Sequence, residues 1–323
     1  MSNNLHSANE QAIQNGLSVL HAQLACDRAV MAQLLSRIHQ EKMPAAVMIA
    51  GPQGIGKSLS AQALAAYWLA YGQKTEAEKN DSFAQSYNQE LRLLSQDSHP
   101  DGRSINAIPT AAQSADMAQI SVAQIRDLLT FLRRTPTRGA HKVAVINKAE
   151  QMNLQAANAL LKALEEPQPR SCIILTSANP AALLPTIRSR LSVFHAKPLD
   201  DEQMKAAIAN KSWPLNPALL ALAQGRLFVY QQLSEALPQK LIPELESWRI
   251  SQAHFPDLLQ FCSLNPRLAL EVLITLGLKQ DHNPARLEAL SALATQFAKG
   301  SAINISPKIL WRTLLAQIGL CPE

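Results

Sequence analysis

Gly51-Pro52-Gln53-Gly54-Ile55-Gly56-Lys57-Ser58 meets the pattern G-x-x-x-x-G-K-S/T at every fixed position. This octapeptide constrains the fold more than any other feature, because the pattern works only between a strand and a helix. Glycines let the backbone curve round a phosphate so that several N–H groups point inward. The helix that follows adds its positive N-terminal end. Lys57 would carry charge to the outer phosphates of ATP, and Ser58 would offer a hydroxyl to magnesium. The flanks agree: residues 45–50 form an apolar run of strand length, and residues 58–71 read as a helix. Strand, glycine turn and helix make the first unit of an α/β domain.

Further units follow. Residues 24–37 carry apolar side chains at helical spacing, and residues 120–131 do so again. Residues 143–146 and 172–176 read as strands, as does 191–195. Between the strands at 143–146 and 172–176, residues 154–164 predict a helix with Leu154, Ala157, Leu161 and Leu164 on one face, stopped by Pro167 and Pro169. The polar stretch 72–106 reads as an insertion or a loose helical segment. Beyond Pro198 the pattern is helical throughout, with helices expected at 200–210, 217–223, 227–236, 267–278 and 284–297.

A working P-loop ATPase also needs acids at the end of a second strand, to hold magnesium and orient water. The strand at 143–146 instead runs into Asn147-Lys148-Ala149-Glu150. An amide and a cation stand where a motor would carry two adjacent acids, and Glu150 is displaced. The expectation is a domain that binds nucleotide without hydrolysing it.

Composition bounds the remainder. A chain of 323 residues with 47% hydrophobic content can build two or three cored domains. The net charge of +5 permits contact with nucleic acid without demanding it. The four cysteines, Cys26, Cys172, Cys262 and Cys321, are scattered, which argues against a disulfide framework or a cysteine-only zinc site. The N-terminus shows no basic and apolar leader pattern, and no apolar run approaches the 18 or so residues of a membrane span, so a cytoplasmic protein is expected.

Several blocks resemble a known family. They are His99-Pro100-Asp101, residues 120–126, Gly139 with Lys142 and Val143, the stretch from Ala156 to Pro167 (AANALLKALEEP), and Leu183-Leu184-Pro185-Thr186-Ile187-Arg188-Ser189-Arg190. Together, over residues 45–195, they resemble the clamp-loader branch of the AAA+ ATPases, and most of all the stator subunits of the bacterial DNA polymerase III loader. The resemblance implies an α/β RecA-like P-loop domain at 1–197, an all-α three-helix lid at 198–238 and an all-α collar at 239–323 that joins the ring. It implies a non-hydrolysing subunit that helps place the sliding clamp on primed DNA. Its neighbours would be a motor subunit on one side and a wrench subunit on the other. Ser189 and Arg190 match the pair that reaches into the motor's nucleotide site, with Arg190 as the arginine finger. Thr176 matches the polar sensor of the γ-phosphate, although a strand-end cap reads equally well.

Some positions depart from the pattern. Relatives commonly carry a four-cysteine zinc module after the P-loop, whereas 72–106 holds no cysteine, so no zinc is expected. Motor relatives place a sensing arginine three residues after a lid glycine; here Arg226 directly follows Gly225, and Phe228 takes the third position. Arg133, Arg134, Arg138 and Lys142 form a basic cluster that reads either as a DNA-facing patch or as a solvated or subunit-contact face. An active AAA+ motor, a helicase loader and a nucleoside-phosphate kinase are the competing readings, and the missing acids weigh against the first two.

Overall fold

In the computed structural model the described residues are 27–73, 83–108, 118–247 and 251–280, with the single positions 292, 311, 312 and 315. They fall into two units, Met1–Leu199 and Asp200–Glu323. No helix among them is long and apolar enough to cross a membrane.

The first unit is built on five short strands: β1 (Ala46–Ala50), β2 (Gly102–Ile105), β3 (Lys142–Ile146), β4 (Ser171–Ser177) and β5 (Ser192–His195). They form one wholly parallel sheet in the order β2-β3-β4-β1-β5. β1 and β3 are buried at every position, as parallel strands covered on both faces must be. Alternation along each strand divides the core in two. Val47, Ile49, Val143, Val145 and Ile174 face one way, with α1 (Arg28–His39), α2 (Lys57–Gly72) and α3 (Phe83–Ser95) over them. Met48, Ala144, Ile146, Ile173 and Leu175 face the other, under α4 (Val122–Leu132), α5 (Leu154–Glu165) and the single turn α6 (Pro185–Arg188). This is the RecA-like α/β arrangement expected.

Helix starts follow local chemistry. Ser121 and Gln124 close a reciprocal capping box on α4, and the Asn153 side chain accepts from the Ala156 N–H at 2.8 Å to open α5. The buried face of α5 is Ala156, Ala157, Leu160 and Leu164, whereas Leu154 is 64% exposed. That corrects the expected stripe: two alanines let the helix lie close to the sheet, and Leu154, beside its cap, turns outward.

The stretch 72–106 also differs from expectation. Leaving aside residues 74–82, which lie outside the described set, it holds α3 and the edge strand β2. Tyr87 and Leu94 are buried under α2, and the Tyr67 and Phe83 rings lie 4.7 Å apart. One of its polar residues, Glu90, is completely buried. His99-Pro100-Asp101 explains it. The Asp101 N–H donates to His99 Nδ1 at 2.9 Å, so the ring proton sits on Nε2 and is donated to Glu90 Oε2. Glu90 Oε1 accepts from Gln73 Nε2 at 2.8 Å and Arg138 Nη2 at 3.2 Å. Asp101 in turn accepts the Thr137 and Arg138 N–H groups, at 2.7 and 2.6 Å. One buried network thus ties α2, α3, the start of β2 and the loop before β3.

The second unit holds only helices among its described residues: α7 (Asp201–Asn210), α8 (Pro217–Ala223), α9 (Leu227–Ala236), α10 (Leu241–Glu246), α11 (Phe255–Leu264) and α12 (Pro266–Gln280). Tyr230, fully buried, donates its hydroxyl proton to Pro214 O at 2.5 Å and accepts the Asn216 N–H at 2.9 Å, which fixes α9 against the start of α8. Residues 24–26 of the first expected helix and almost all of the helix expected at 284–297 lie outside the described residues.

Two expected outcomes follow. Leu160→Ala should cost about 2–5 kcal/mol in urea unfolding, and Leu154→Ala no more than about 0.5 kcal/mol; equal costs would contradict the face assigned to α5. Burial alone would raise the Glu90 carboxyl, but its His99 and Gln73 hydrogen bonds, aided by the Arg138 charge, hold it below its ordinary 4.5. A lowered folded pKa gives stability that is complete above the unfolded value and lost as pH falls through the folded one. Glu90→Gln should therefore lower the urea midpoint at about pH 6 and flatten its fall between about pH 5 and 3.

Candidate functional site

The loop from Gly51 to Gly56 joins the end of β1 to the start of α2. A Cβ on Gly51 would lie 2.4 Å from the Ala196 carbonyl oxygen, so the close pass beside the end of β5 requires glycine. Gly56 opens α2 in the left-handed region, at φ 89°, which again favours glycine. Pro52 and Gln53 are exposed at the tip, while Ile55 and Lys57 are buried. Lys57 Nζ donates to the carbonyls of Gly51 and Pro52, both at 2.7 Å. Ser58 follows it in the first turn of α2. The whole sequence motif is thus gathered into one loop at the C-terminal end of the sheet, the side on which open α/β sheets bind ligands.

One strand further along the sheet, beyond β4, stands the end of β3. Asn147 is buried, and its Nδ2 donates to Asn106 Oδ1 at 3.0 Å. Thr176, on β4 beside Ile49 of β1, is 1% exposed. Its hydroxyl accepts the Lys148 N–H at 3.1 Å and donates to Asn147 Oδ1 at 3.4 Å. Lys148 has a left-handed backbone, φ 52°, and an exposed side chain. Glu150 Oε1 accepts the Ala178 N–H at 3.1 Å, and its Oε2 is buried with no hydrogen-bond partner. Position 147 therefore presents an amide already committed on both sides, and position 148 a cation. Neither can take a proton from water or supply a metal-binding carboxylate. Among the described residues no three His, Cys, Asp or Glu side chains converge as a metal site.

Ser189 and Arg190 lie elsewhere. They follow α6 and precede β5, whose Ser192 pairs with Val47, whereas the phosphate loop follows Ala50. β1 and β5 are parallel, so the arginine and the loop stand at opposite ends of the sheet, at least about 10 Å apart at roughly 3.3 Å per residue. Arg190 Nη1 donates to Thr186 O at 2.8 Å and Ser189 Oγ at 3.3 Å, and Nη2 pairs with Glu165 Oε1 at 2.8 Å. About a third of the arginine side chain is exposed.

The basic cluster is smaller than its sequence suggests. Lys142 is buried, donates Nζ to Phe131 O at 2.8 Å and lies over the Phe131 ring. Burial pulls its pKa below the ordinary lysine value. Arg138 is bound to Glu90. That leaves Arg133 and Arg134 with exposed side chains. Arg226 likewise is held within its own unit, with Nη1 paired to Glu271 at 2.8 Å and Nε donating to Ala223 O at 3.2 Å.

The sequence family described as DNA polymerase III, delta subunit matches residues 26–200. The DNA polymerase III subunit delta' of Pseudomonas aeruginosa is 37% identical over 193 residues, 58% of this chain and 55% of that protein. The delta' subunit of Haemophilus influenzae is 33% identical over 134 residues, 41% of this chain and 39% of that protein. The DNA polymerase III subunit tau of Escherichia coli is 38% identical over 104 residues, 32% of this chain and 16% of that protein. The matches to the delta' relatives span about half of their length or less.

Proposed function

The chain belongs to the DNA polymerase III delta subunit family, and from that premise we propose that it is a delta-prime subunit of the clamp loader, a stator that binds ATP and magnesium without turning ATP over. It would sit between a motor subunit and the wrench subunit, in a ring that places the sliding clamp on primed DNA during replication. Residues 1–197 would form the RecA-like domain, 198–238 the lid and 239–323 the collar through which it assembles. The break between Leu199 and Asp200, with helices alone among the described residues after it, supports the first of those boundaries.

One observation carries the reading: the arginine matched to a catalytic finger stands at the opposite end of the sheet from this chain's own phosphate loop. It cannot serve that loop, so any nucleotide it reaches belongs to a neighbour. The finger role suits arginine because its rigid fork fits phosphate oxygens and keeps its charge as phosphoryl transfer develops negative charge. The phosphate loop, complete from Gly51 to Ser58, would hold the triphosphate, with Thr176 beside it. The amide and cation at Asn147 and Lys148 leave no acid there to activate water, which speaks against the motor reading that the tau similarity would otherwise favour.

The purified chain should bind labelled ATP and show no sustained hydrolysis; steady turnover by this chain alone would sink the stator reading. In the rebuilt complex, Arg190→Ala should leave folding and assembly nearly unchanged, since exposed substitutions cost within about 0.5 kcal/mol. A finger is worth about 10³–10⁵ in kcat at its site. Total DNA-stimulated ATPase should fall in part, because this subunit abuts one site of several, and clamp loading should fall further. Arg190→Lys should not rescue, since a point charge does not reproduce the fork. Wild-type rates in both assays would make Arg190 an ordinary surface residue. A chain ending at residue 238 should keep its phosphate-loop domain folded yet fail to enter the complex on gel filtration; normal entry would remove the assembly role from 239–323.

A further inference from the structure

Three groups hold the Arg190 guanidinium. Two of its partners, the Thr186 carbonyl and the Ser189 hydroxyl, belong to its own turn and fix the direction of the guanidinium. The third, Glu165, comes from another element, the last residue of α5. We propose that Glu165 is the in-cis counter-anion of Arg190, a carboxylate that neutralises the guanidinium until a phosphate of a neighbouring subunit's nucleotide takes its place. The inference rests on Arg190 acting in trans and adds the group that regulates it.

Charge and exposure support the exchange. Glu165 and Glu166 sit at the C-terminal end of α5, where the helix dipole already places negative charge, and Lys162 is the one basic residue of that last turn. Glu165 therefore stands where a cation is needed, and Arg190 meets it at 2.8 Å. Carboxylate and phosphate offer the guanidinium the same kind of charged oxygen, so one can replace the other without rebuilding the turn. The pair is open enough to be exchanged: Arg190 is 36% and Glu165 49% exposed. Exposed pairs are worth at most about 1 kcal/mol, a factor of about five. Such a pair biases the arginine without locking it, and a multiply charged phosphate outcompetes it. The remaining charged group of this turn, Arg188, is exposed on α6.

The test uses the rebuilt complex with wild-type, Glu165→Gln, Arg190→Ala and doubly substituted chains, measuring ATP hydrolysis with and without primed DNA. Glu165→Gln keeps the shape and removes the charge. It should raise DNA-independent hydrolysis at the one site this subunit abuts by up to about five-fold, a smaller rise in the total, and lower the ratio of DNA stimulation correspondingly. In the Arg190→Ala background it should change nothing, a dependence that a purely structural role of Glu165 would not produce. Wild-type behaviour of Glu165→Gln beside a slow Arg190→Ala would overturn the counter-anion and leave the finger standing. A slow Glu165→Gln would overturn it too, because the carboxylate would then be a permanent orienting group. A rise that persists without Arg190 would likewise overturn it. Wild-type rates with Arg190→Ala would instead remove the finger itself, and the counter-anion with it.

Discussion

A parallel sheet has two chemically different ends, and this molecule uses both. All five strands point the same way, so every strand-to-helix turn that carries an N-terminal helix end lies on one side. The phosphate loop occupies that side because backbone N–H groups and a helix N-terminus are gathered there. Segments that enter strands lie on the other side, among them the turn bearing Arg190 and the end of α5 bearing Glu165. Strand direction alone separates the phosphate loop from Arg190. An arginine that needed to act on the local loop would have to come from the exit side, where Thr176 lies.

The exit side is built for holding more than for chemistry. Thr176, Asn147 and Asn106 form a short chain of neutral hydrogen bonds that fixes the end of β3 against β4. Neutral bonds of this kind contribute about 1 kcal/mol each and carry no charge that could develop or be shared in a transition state. Charged groups are costly to bury without partners, and the two buried carboxylates of the entry side have them. Glu90 and Asp101 are each surrounded by donors on the entry side.

Much of this was legible in the sequence, for reasons that particular residues make plain. The phosphate loop, β1, β3 and β4 announce themselves because a parallel strand buried on both faces is nearly pure Val, Ile, Leu and Ala. The helices of the second unit, from α7 to α9, coincide closely with their periodicity because capping residues such as Asp200 and Asn216 mark their starts. β2 was hidden because it is an edge strand, Gly102-Arg103-Ser104-Ile105, with one apolar side chain to show. α3 was hidden because its core position 90 is a glutamate whose partners, His99 and Arg138, are remote in sequence. Spatial contacts also dissolved the basic cluster, since Lys142 and Arg138 look free in sequence but are committed to Phe131 and Glu90. The Arg190–Glu165 pair spans two elements, and nothing in their spacing could have announced it.

The loop itself shows why a complete motif and a strong site are different things. Lys57 already donates to two carbonyls of its own loop at 2.7 Å. A phosphate must draw the ammonium away from them, and hydrogen bonds to a charged group are worth about 1.5–3 kcal/mol each. Binding is therefore a difference between two sets of charge-assisted contacts. The N–H groups of the loop and the end of α2 favour the phosphate, while the Gly51 and Pro52 carbonyls retain the lysine. In a motor, metal-binding acids beyond β3 add to the first set by holding magnesium against the outer phosphates. Here Asn147 and Lys148 add none, so nucleotide would be held by the loop backbone, Lys57 and Ser58 alone. An affinity set that way depends on the closeness of the Gly51 turn to Ala196, which shapes the loop. It gains nothing from chemistry at the γ-phosphate, which is the property expected of a subunit that keeps its nucleotide while its neighbour spends one.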